Sequence, residues 1–402
     1  MLDKQIQATF FYLFILFLFT TCNFYTKKGT LMVEQEEILP PLDSGVIYCQ
    51  GFDTLIYLRG EKALDDSLLK DIENIFLIDT LLVLNGRDWG ESSPPLQKFR
   101  HYSLPNMQLL KSVEEQFSFF NIIPTVDSTF LYYFLGYEAK YERQSRSWEQ
   151  HLRKYDLSGK VTLVDSIILP FEVGDVINDK VSSITHAGNA DFIYRKDSLI
   201  VCASITEDTV LVENRYSLPM NPNLGQLIIN PAKNRMVFAY EYYHLFHIMD
   251  LEAKTVKTVD FKNGNHQYQI EKSCMDCLSP NTIYYCTAFA GQDYFYLLYW
   301  GYPIQALFDH ANKSWKWSQK ERKYVKTDEY QQNIPNIVEQ YDWKGNPIAR
   351  YLLEGNPSLS RDHFVVDEKK QQFYLLSADC YATFMATLAS YESLRVYSFS
   401  KK

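Results

Sequence analysis

The sequence predicts an all-β fold, a six-bladed β-propeller of four-stranded antiparallel blades. Aromatic residues make up 15% of the 402 residues, with 30 Tyr and 26 Phe, and aromatic side chains favour strands. Short apolar or alternating runs, separated by turn residues, cover most of the chain. One strand-like unit recurs six times between positions 79 and 370, at intervals of roughly 58 residues, which is the size of a propeller blade.

Each copy of the recurring unit opens with a polar residue and continues with aromatic and β-branched residues. The six copies are DTLLVL (from 79), DSTFLYYF (127), DSLIVCAS (197), NRMVFAYE (234), QDYFYLLYW (292) and KQQFYLLSA (370). A second strand-like run follows each copy, beginning near positions 96, 151, 210, 245, 336 and 393. Four-stranded sheets repeated around an axis leave an all-β chain only short exposed edges.

Three of the second runs contain an aspartate followed by a tight turn. They are YDLSGKV (155–161), MDLEAKTV (249–256) and YDWKGNPI (341–348). Aspartate accepts hydrogen bonds from nearby backbone amides, and glycine accepts a positive φ. We therefore predict that Asp156, Asp250 and Asp342 shape hairpin turns and are not a catalytic set.

Two stretches have a weak helical period instead of a strand pattern. They are EKALDDSLLKDIENIF (61–76) and SVEEQF (112–117). Apolar residues three or four positions apart are typical of an amphipathic helix. These two short stretches are the exceptions in a chain that otherwise has almost no helical periodicity.

The N-terminus predicts export. Residues 8–19 are an apolar run of about twelve residues, which fits a signal peptide and is shorter than the roughly twenty residues of a membrane span. The sequence Phe19-Thr20-Thr21-Cys22 is similar to a lipobox, although Phe19 and Thr21 depart from the usual pattern. We predict cleavage before Cys22 and lipidation of its thiol. An ordinary secretory signal and an uncleaved anchor are the alternatives.

Three segments follow from this assignment: a signal peptide (1–21), a lipidated cysteine with a flexible tether (22–42) and the propeller (43–402). The first charged residues after Cys22 are Lys27 and Lys28, and acidic residues begin only at Glu34. An acidic cluster directly after the cysteine would favour the cell surface. The order observed here favours the cell envelope, on the periplasmic side of the outer membrane.

Composition excludes one class of partner and leaves the cysteines open. The formal net charge is −9, whereas nucleic acid attracts basic stripes, so we predict no nucleic-acid binding. Besides Cys22 there are six cysteines, which an exported protein can pair in fifteen ways or keep as buried thiols. They are Cys49, Cys202, Cys274, Cys277, Cys286 and Cys380.

The last part of the chain resembles the TolB-like six-bladed propeller lipoproteins of Bacteroidetes. The matching motifs are YDWKGNP (341–347), VVDE (365–368) and FYLL (373–376), together with the signal that ends at Cys22. These are strand and turn signatures, so the resemblance implies a fold and no activity. It also implies that an N-terminal strand closes the ring by pairing with LRVYSFS (394–400), and residues 45–50 or 54–60 are the candidates.

Few residues suggest chemistry. The motif CMDC (274–277) precedes a turn and a strand, without a second ligand pair, so we predict no metal site, cofactor or catalytic residue. His244 and His247 are three apart, which places them on opposite sides of a strand. The polar stretch 137–151 carries Arg143, Arg146 and Trp148, a composition found at interface hot spots. A solvated hairpin is the alternative for that stretch.

The predicted function follows from these points. We expect a lipid-anchored envelope propeller that acts as a non-enzymatic binding or scaffold module, with the membrane and an envelope protein as partners. The alternative is a hydrolase of the propeller lactonase or esterase type. That activity requires several Asp, Asn, Glu or His side chains around a metal in the central channel.

Overall fold

A computed structural model describes most of the propeller region and short pieces of the segment before it. The described residues are 27–28, 30–33, 38–39, 42–48, 51–52, 55–64, 69, 72–88, 96–104, 106–116, 121–124, 130–142, 145–169, 192–196, 199–206, 209–217, 225–232, 234–261, 282–303, 315–320, 323–326, 336–354, 364–378 and 391–399. All secondary structure assigned to them is strand, apart from turns and bends.

Six strands precede the first complete sheet. They are β1 (Lys27–Lys28), β2 (Thr30–Val33), β3 (Ile38–Leu39), β4 (Leu42–Tyr48), β5 (Leu55–Leu58) and β6 (Glu61–Leu64). Sheet 1 contains β7 (Ile72–Ile78), β8 (Leu81–Asp88), β9 (Leu96–Ser103) and β10 (Gln108–Gln116). Sheet 2 contains β11 (Asn121–Pro124), β12 (Leu131–Glu142), β13 (Ser145–Asp156) and β14 (Thr162–Leu169).

Four further sheets follow in chain order. Sheet 3 contains β15 (Phe192–Lys196), β16 (Leu199–Thr206) and β17 (Thr209–Ser217), and sheet 4 contains β18 (Gly225–Ile229), β19 (Arg235–Tyr240), β20 (Leu245–Asp250) and β21 (Thr255–Asp260). Sheet 5 contains β22 (Thr282–Ala290), β23 (Tyr294–Pro303), β26 (Asn336–Asp342) and β27 (Pro347–Leu353). A separate hairpin of β24 (Trp315–Ser318) and β25 (Lys323–Lys326) lies within its long connection. Sheet 6 contains β28 (Phe364–Asp367), β29 (Gln372–Ala378) and β30 (Tyr391–Ser398).

The six recurring runs occupy equivalent strands. Each contributes the second strand of its sheet, and the runs that follow them contribute the third. The described opening residues, Asp79, Asn234, Gln292 and Lys370, fall at the turn between the first and second strands. Asp79, for example, lies in such a turn with φ of 49°. The sequence repeat therefore locates one sheet per copy correctly.

Five sheets pack face to face in the order 4, 5, 6, 1, 2. One hydrophobic cluster joins each neighbouring pair, and its members come from both sheets. Representative contacts are Phe246 with Tyr341 between sheets 4 and 5, Tyr351 with Phe373 between sheets 5 and 6, and Phe99 with Tyr132 between sheets 1 and 2. Val365 and Leu376 of sheet 6 share a cluster with Ile75 and Leu82 of sheet 1. The described contacts thus show a propeller of five packed blades and not the six that were predicted, and the side chains of sheet 3 lie outside the described residues.

The N-terminal strands run along the outer edges of successive sheets. Strand β1 pairs in parallel with β14, β2 and β3 with β17, β4 with β21, and β5 with β27. We call β1 to β5 the N-terminal belt. Unpaired backbone at a sheet edge invites pairing with other chains, so the belt covers the edges that would otherwise be exposed.

Ring closure by an N-terminal strand is confirmed, but both predicted strands are wrong. Strand β6 pairs antiparallel with β30, with Leu64 opposite Leu394, and supplies the fourth strand of sheet 6. The candidate segments 45–50 and 54–60 contribute instead to belt strands on sheets 4 and 5. Moreover, β1, β2 and β3 lie within the predicted tether, where the structure has paired backbone instead of a free chain.

The two stretches with a weak helical period contain strands and no helix in their described residues. Residues 61–76 contain β6 and the start of β7, and residues 112–117 fall largely within β10. The pairing of β7 with β8 shifts register between Ile72 and Asn74. A bulge of this kind interrupts the alternation of a strand. Ile72 and Ile75 are both buried as a result, and their spacing of three imitates a helical period.

The two faces of the propeller differ in the length of their connections. Successive strands of a sheet run in opposite directions. The connection from the second to the third strand therefore lies on the same face of the propeller as the connection from the fourth strand to the next sheet. Between described strands, every connection of ten residues or more is of these two kinds: 170–191, 261–281, 304–335, 354–363 and 379–390. We call this the long-connection face. The opposite, short-turn face carries connections such as 79–80, 104–107, 251–254, 343–346 and 368–371.

Candidate functional site

The predicted binding stretch forms a long hairpin on the long-connection face. Strands β12 and β13 pair along their whole length, with Glu142 opposite Ser145 at the tip. The pairing of β11 with β12 extends only to Leu135 of β12, and the pairing of β14 with β13 extends only to Gln150 of β13. The tip therefore continues as two strands beyond the rest of sheet 2, by about five residues or roughly 16 Å on each strand.

The register places two of the three predicted binding residues on the same side of this hairpin. Arg146 lies opposite Tyr141, and Trp148 lies opposite Ala139. Residues two apart on a strand share a face, so Arg146 and Trp148 do as well. Arg143 lies outside the described residues.

The start of the belt lies near the same face. Lys27 and Lys28 pair with Ile167 and Ile168, close to the end of β14 that points to the long-connection face. Cys22, the predicted lipidation site, lies outside the described residues. It precedes Lys27 by five positions, so their Cα atoms are at most about 18 Å apart.

An ion pair between a buried glutamate and a half-buried arginine crosses sheet 5. Glu339 on β26 lies directly opposite Arg350 on β27, and Glu339 Oε1 is 3.0 Å from Arg350 Nη2. The Tyr341 hydroxyl donates to Glu339 Oε2 at 2.6 Å. Burial raises the pKa of Glu339 to about 7, while the Arg350 charge and the Tyr341 hydrogen bond act in the opposite direction. Glu339 is completely buried, so its carboxylate holds Arg350 in place and has no direct access to a solute.

Arg350 links this pair to aromatic rings at the junction of sheets 4 and 5. Its guanidinium lies 4.5 Å from the Tyr299 ring centroid and 5.7 Å from that of Phe52, which lies between belt strands β4 and β5. His244 stacks between Phe261 and Tyr284, at centroid distances of 4.2 and 5.1 Å. These rings lie where strands of sheets 4 and 5 meet the long-connection face.

Glu368 locks sheet 6 onto sheet 5. Its carboxylate accepts hydrogen bonds from the backbone amides of Gln292, Asp293 and Tyr294 at 2.5, 3.0 and 3.2 Å. The Tyr296 hydroxyl donates to the same carboxylate at 3.0 Å. The adjacent Asp367 accepts from the Lys370 amide at 3.0 Å within its own turn. The VVDE motif therefore connects two blades.

The predicted turn role of the three aspartates is confirmed. Asp156 accepts from the Ser158 amide at 2.6 Å, and Asp250 accepts from the Ala253 amide at 2.8 Å. Asp342 accepts from the amides of Lys344 and Asn346, both at 2.9 Å. These turns join the third and fourth strands of sheets 2, 4 and 5.

The YDWKGNP turn also docks onto the neighbouring blade. Arg235 of sheet 4 donates to the Trp343 carbonyl at 3.1 Å. Gly345 has φ of 89°, and a Cβ there would lie 2.6 Å from Ile248 Cδ1 of sheet 4. Glycine is required because of both its backbone conformation and this close approach.

The histidines of the described region pack within the blades. His101 Nε2 lies 2.8 Å from the Tyr132 hydroxyl across the junction of sheets 1 and 2, and burial lowers the pKa of His101 to about 4. The Thr258 hydroxyl oxygen lies 3.0 Å from Nδ1 of His247. His244 instead stacks on Phe261. The two histidines have different contacts, but His244 lies in the turn before β20 and not on the strand where the sequence placed both of them.

Most of the cysteines that the sequence left open lie outside the described residues. Cys49, Cys274, Cys277 and Cys380 lie outside the described residues, and Cys202 and Cys286 have described strand positions only. Among the residues that the structure does describe, no three His, Cys, Asp or Glu side chains are grouped so that they could hold a metal ion. The described residues contain no helix that is long and apolar enough to cross a membrane.

Sequence reasoning missed Glu339, Arg350 and Glu368. A signal for the ion pair was present, since the Asp342 turn fixes the hairpin register and thereby places Glu339 opposite Arg350. No such signal exists for Glu368, because its partners belong to a different blade, more than seventy positions earlier in the chain.

Comparison with solved structures returns distant similarities. The chain is similar to a member of the DUF4221 family from Bacteroides vulgatus (10% identity, TM-score 0.40, covering 87% of this chain and 94% of that one). It is also similar to the WD40 domain of Toxoplasma gondii coronin (10%, 0.38, 87% and 78%) and to the Cps50 (Swd1) β-propeller domain of Myceliophteria thermophila (9%, 0.34, 82% and 97%). The identities of 9–10% and the TM-scores of 0.34–0.40 are too low to support a conclusion on activity. No protein-family model and no curated protein matches the chain.

Proposed function

We propose that this protein is a lipid-anchored propeller of the cell envelope that acts as a non-enzymatic binding or scaffold module, with the long-connection face as its binding surface. The observation that carries the proposal is the difference between the two faces. One face consists of short turns occupied by structural hydrogen bonds, such as those of Asp250, Asp342 and Glu368. The other face carries the long connections and the projecting hairpin of β12 and β13.

The route of the belt supports a lipid anchor at Cys22. The described chain begins beside β14, where Lys27 pairs with Ile167. A link of five residues from Lys27 to Cys22 would keep sheet 2 near the bilayer. On this proposal the protein lies on the periplasmic side of the outer membrane, where an envelope protein would be its second partner.

The burial of sheet 4 supports a sixth blade. Besides its contact with sheet 5, this sheet has a second apolar cluster that includes Met236, Phe238 and Met249, all buried. Apolar side chains of this size require a covering layer. Sheet 3 comes directly before sheet 4 in the chain, and as the sixth blade it would complete the TolB-like arrangement. No observation on the described residues favours the propeller hydrolase.

Two experiments test the proposal. Fractionation compares the native protein with Cys22→Ala, and mass spectrometry of the N-terminal peptide detects acyl chains. We expect an acylated Cys22 and loss of the variant from the membrane fraction. Retention of Cys22→Ala in that fraction would contradict the lipid anchor.

The binding surface is tested by affinity capture from detergent-extracted envelope. The hairpin variant Arg146→Ala/Trp148→Ala is compared with a matched variant of the short-turn face, Lys254→Ala/Lys344→Ala. We expect the first variant to lose its partner and the second to keep it. Equal capture by both variants would show that the hairpin is not the binding surface.

A further inference from the structure

The outer edge of sheet 5 exposes apolar side chains. Strand β5 is the last strand of this sheet, and among the described strands only β27 pairs with it. Three consecutive residues of β5 are exposed, namely Leu55 (55%), Ile56 (38%) and Tyr57 (62%). On β27, Ile348 is also exposed (43%), and the register places it on the same side of the sheet as Leu55. Unpaired backbone beside such side chains is a template for another strand.

Two other outer strands carry protection that β5 lacks. Strand β10 of sheet 1 has a register shift after Leu109 and the exposed acidic residues Glu114 and Glu115. Strand β6 of sheet 6 has the exposed residues Glu61 and Lys62, and its pairing with β30 also shifts register. Bulges and charged side chains discourage pairing at an edge. The strand residues of β5 are LIYL, without a charge, and they pair with β27 without a shift.

The backbone of β5 presents hydrogen-bonding groups at its outer edge on alternate residues. The Leu58 carbonyl accepts from the Glu354 amide at 3.1 Å, across the pairing with β27. The N–H and C=O of one strand residue point to the same side, and that side alternates along the strand. The groups of Ile56 therefore point to β27, as at Leu58. Those of Leu55 and Tyr57 point to the outer edge.

We propose that β5 pairs antiparallel with β5 of a second copy of this chain, in a two-fold dimer centred on Ile56. In this register Leu55 lies opposite Tyr57 of the partner subunit, and the two residues exchange backbone hydrogen bonds through their outward-pointing groups. The two-fold axis generates the same pair a second time. Between the two pairs, Ile56 meets Ile56 of the partner subunit, and all three exposed residues of the strand are covered.

Charge favours this register and a second copy as the occupant. Asp53 and Arg59 lie three positions before and after Ile56, so each stands opposite the other residue in the partner subunit. Opposite charges that face each other across strands stabilise the pairing, and like charges oppose it. Another register that satisfies the outward-pointing groups sets Tyr57 opposite Tyr57 of the partner subunit. That register sets Asp53 opposite Glu61, two like charges.

Sedimentation of the purified full chain in detergent measures the dimer. Leu55→Lys/Tyr57→Lys places like charges opposite each other in the proposed pairs. Leu109→Lys/Leu110→Lys makes the same change in net charge at exposed positions of β10. We expect the β10 variant to dimerise as the native chain does, and the β5 variant to dimerise at least about a hundredfold more weakly. A native chain that is monomeric, or bound only to a different envelope protein, would overturn the proposal, as would a dimer that the β5 variant retains.

Cysteine substitution tests the register. The Cα atoms of a non-hydrogen-bonded antiparallel pair are about 4.5 Å apart, which is within the range of a disulfide. Ile56→Cys should therefore link two chains on oxidation. Tyr57→Cys should not, because the two copies of that residue lie more than about 8 Å apart in the proposed register. Mass spectrometry identifies the linked peptide among the seven native cysteines, and a link at position 57 alone, or at neither position, would contradict the proposal.

The dimer goes beyond the proposed function and does not depend on it. Cys22→Ala, which tests the lipid anchor, should dimerise as the native chain does. Loss of the dimer in Cys22→Ala would show that acyl chains and not β5 hold the two copies together. A Cys22→Ala chain that stays in the membrane fraction and still dimerises contradicts the lipid anchor alone.

Discussion

Glu339 and Arg350 lie opposite each other on neighbouring strands and form an ion pair, with the carboxylate buried, beside Phe52 in the connection between belt strands β4 and β5. The adjacent Gln340 points to the other side of the sheet. Its amide donates to the Tyr296 hydroxyl at 3.3 Å, and that hydroxyl donates to Glu368. Strand β26 therefore couples the belt and sheet 4 on one side to sheet 6 on the other.

Removing one partner of the ion pair should destabilise the protein strongly. Arg350→Met leaves the Glu339 carboxylate buried without its counter-charge, which costs about 3–5 kcal/mol. Replacing both groups, in Arg350→Met/Glu339→Gln, should cost less than the single change because no unpaired charge remains. Urea denaturation at pH 8 measures the three free energies of unfolding. An equal or larger loss in the double variant would show that the pair is not coupled.

The contribution of Glu339 to the free energy of unfolding should fall as pH rises. Its pKa is about 7 in the folded protein, above the ordinary value of 4.5. Between these values the folded state binds a proton that the unfolded chain has released, so the free energy of unfolding contributed by this group falls from pH 4.5 to pH 7. We expect Glu339→Gln to remove this slope, as measured by denaturation across the pH range. A slope unchanged in the variant would refute the assignment.

The contribution of His101 to the free energy of unfolding should have the opposite pH dependence and rise as pH rises. Burial lowers its pKa to about 4 from the ordinary 6.5, so the unfolded chain binds a proton first as pH falls. The stability that His101 contributes is complete above pH 6.5 and is lost as pH falls towards 4. In the His101→Gln variant, the loss of stability between pH 6.5 and 4 should be smaller than in the native protein. Tyr132→Phe is the control, since it removes the hydroxyl contact and leaves the histidine buried.

Glu368→Ala should weaken the contact between sheets 5 and 6. The change removes the acceptor of three backbone amides and one hydroxyl. Water can reach Gln292 and Asp293, which are exposed, so we expect a loss of about 2 kcal/mol and not the full cost of four buried donors. Thermal denaturation provides the measurement. Lys369→Ala, on the exposed neighbouring residue, should change the stability by less than about 0.5 kcal/mol.

The belt and the closing strand should be required for folding. A chain that begins at residue 65 lacks β1 to β6, so it leaves the outer strand of sheet 6 missing and several sheet edges open to association. We expect it to aggregate, whereas a chain that begins at residue 27 should remain soluble. Circular dichroism and size-exclusion chromatography compare the two. A soluble, folded chain starting at residue 65 would contradict the role assigned to the belt.

Local chemistry explains what could be predicted from the sequence. The recurring aromatic runs and the Asp342 turn depend on neighbouring residues, so they identified second strands and hairpins correctly. The path of the belt could not be predicted, since parallel pairing at an outer edge leaves no periodic pattern. Glu368 was missed for a related reason. Its hydrogen bonds exist only after two blades have packed, and no local sequence pattern records that contact.

The most direct test asks which face of the propeller meets other envelope components. A photo-crosslinking residue is introduced at Tyr141, beside Arg146 in the projecting hairpin, or at Lys344 on the short-turn face, and intact envelopes are irradiated. Adducts from position 141 and none from position 344 are the predicted result. Adducts from position 344 alone, or equal adducts from both positions, would contradict the assignment of the long-connection face as the functional surface.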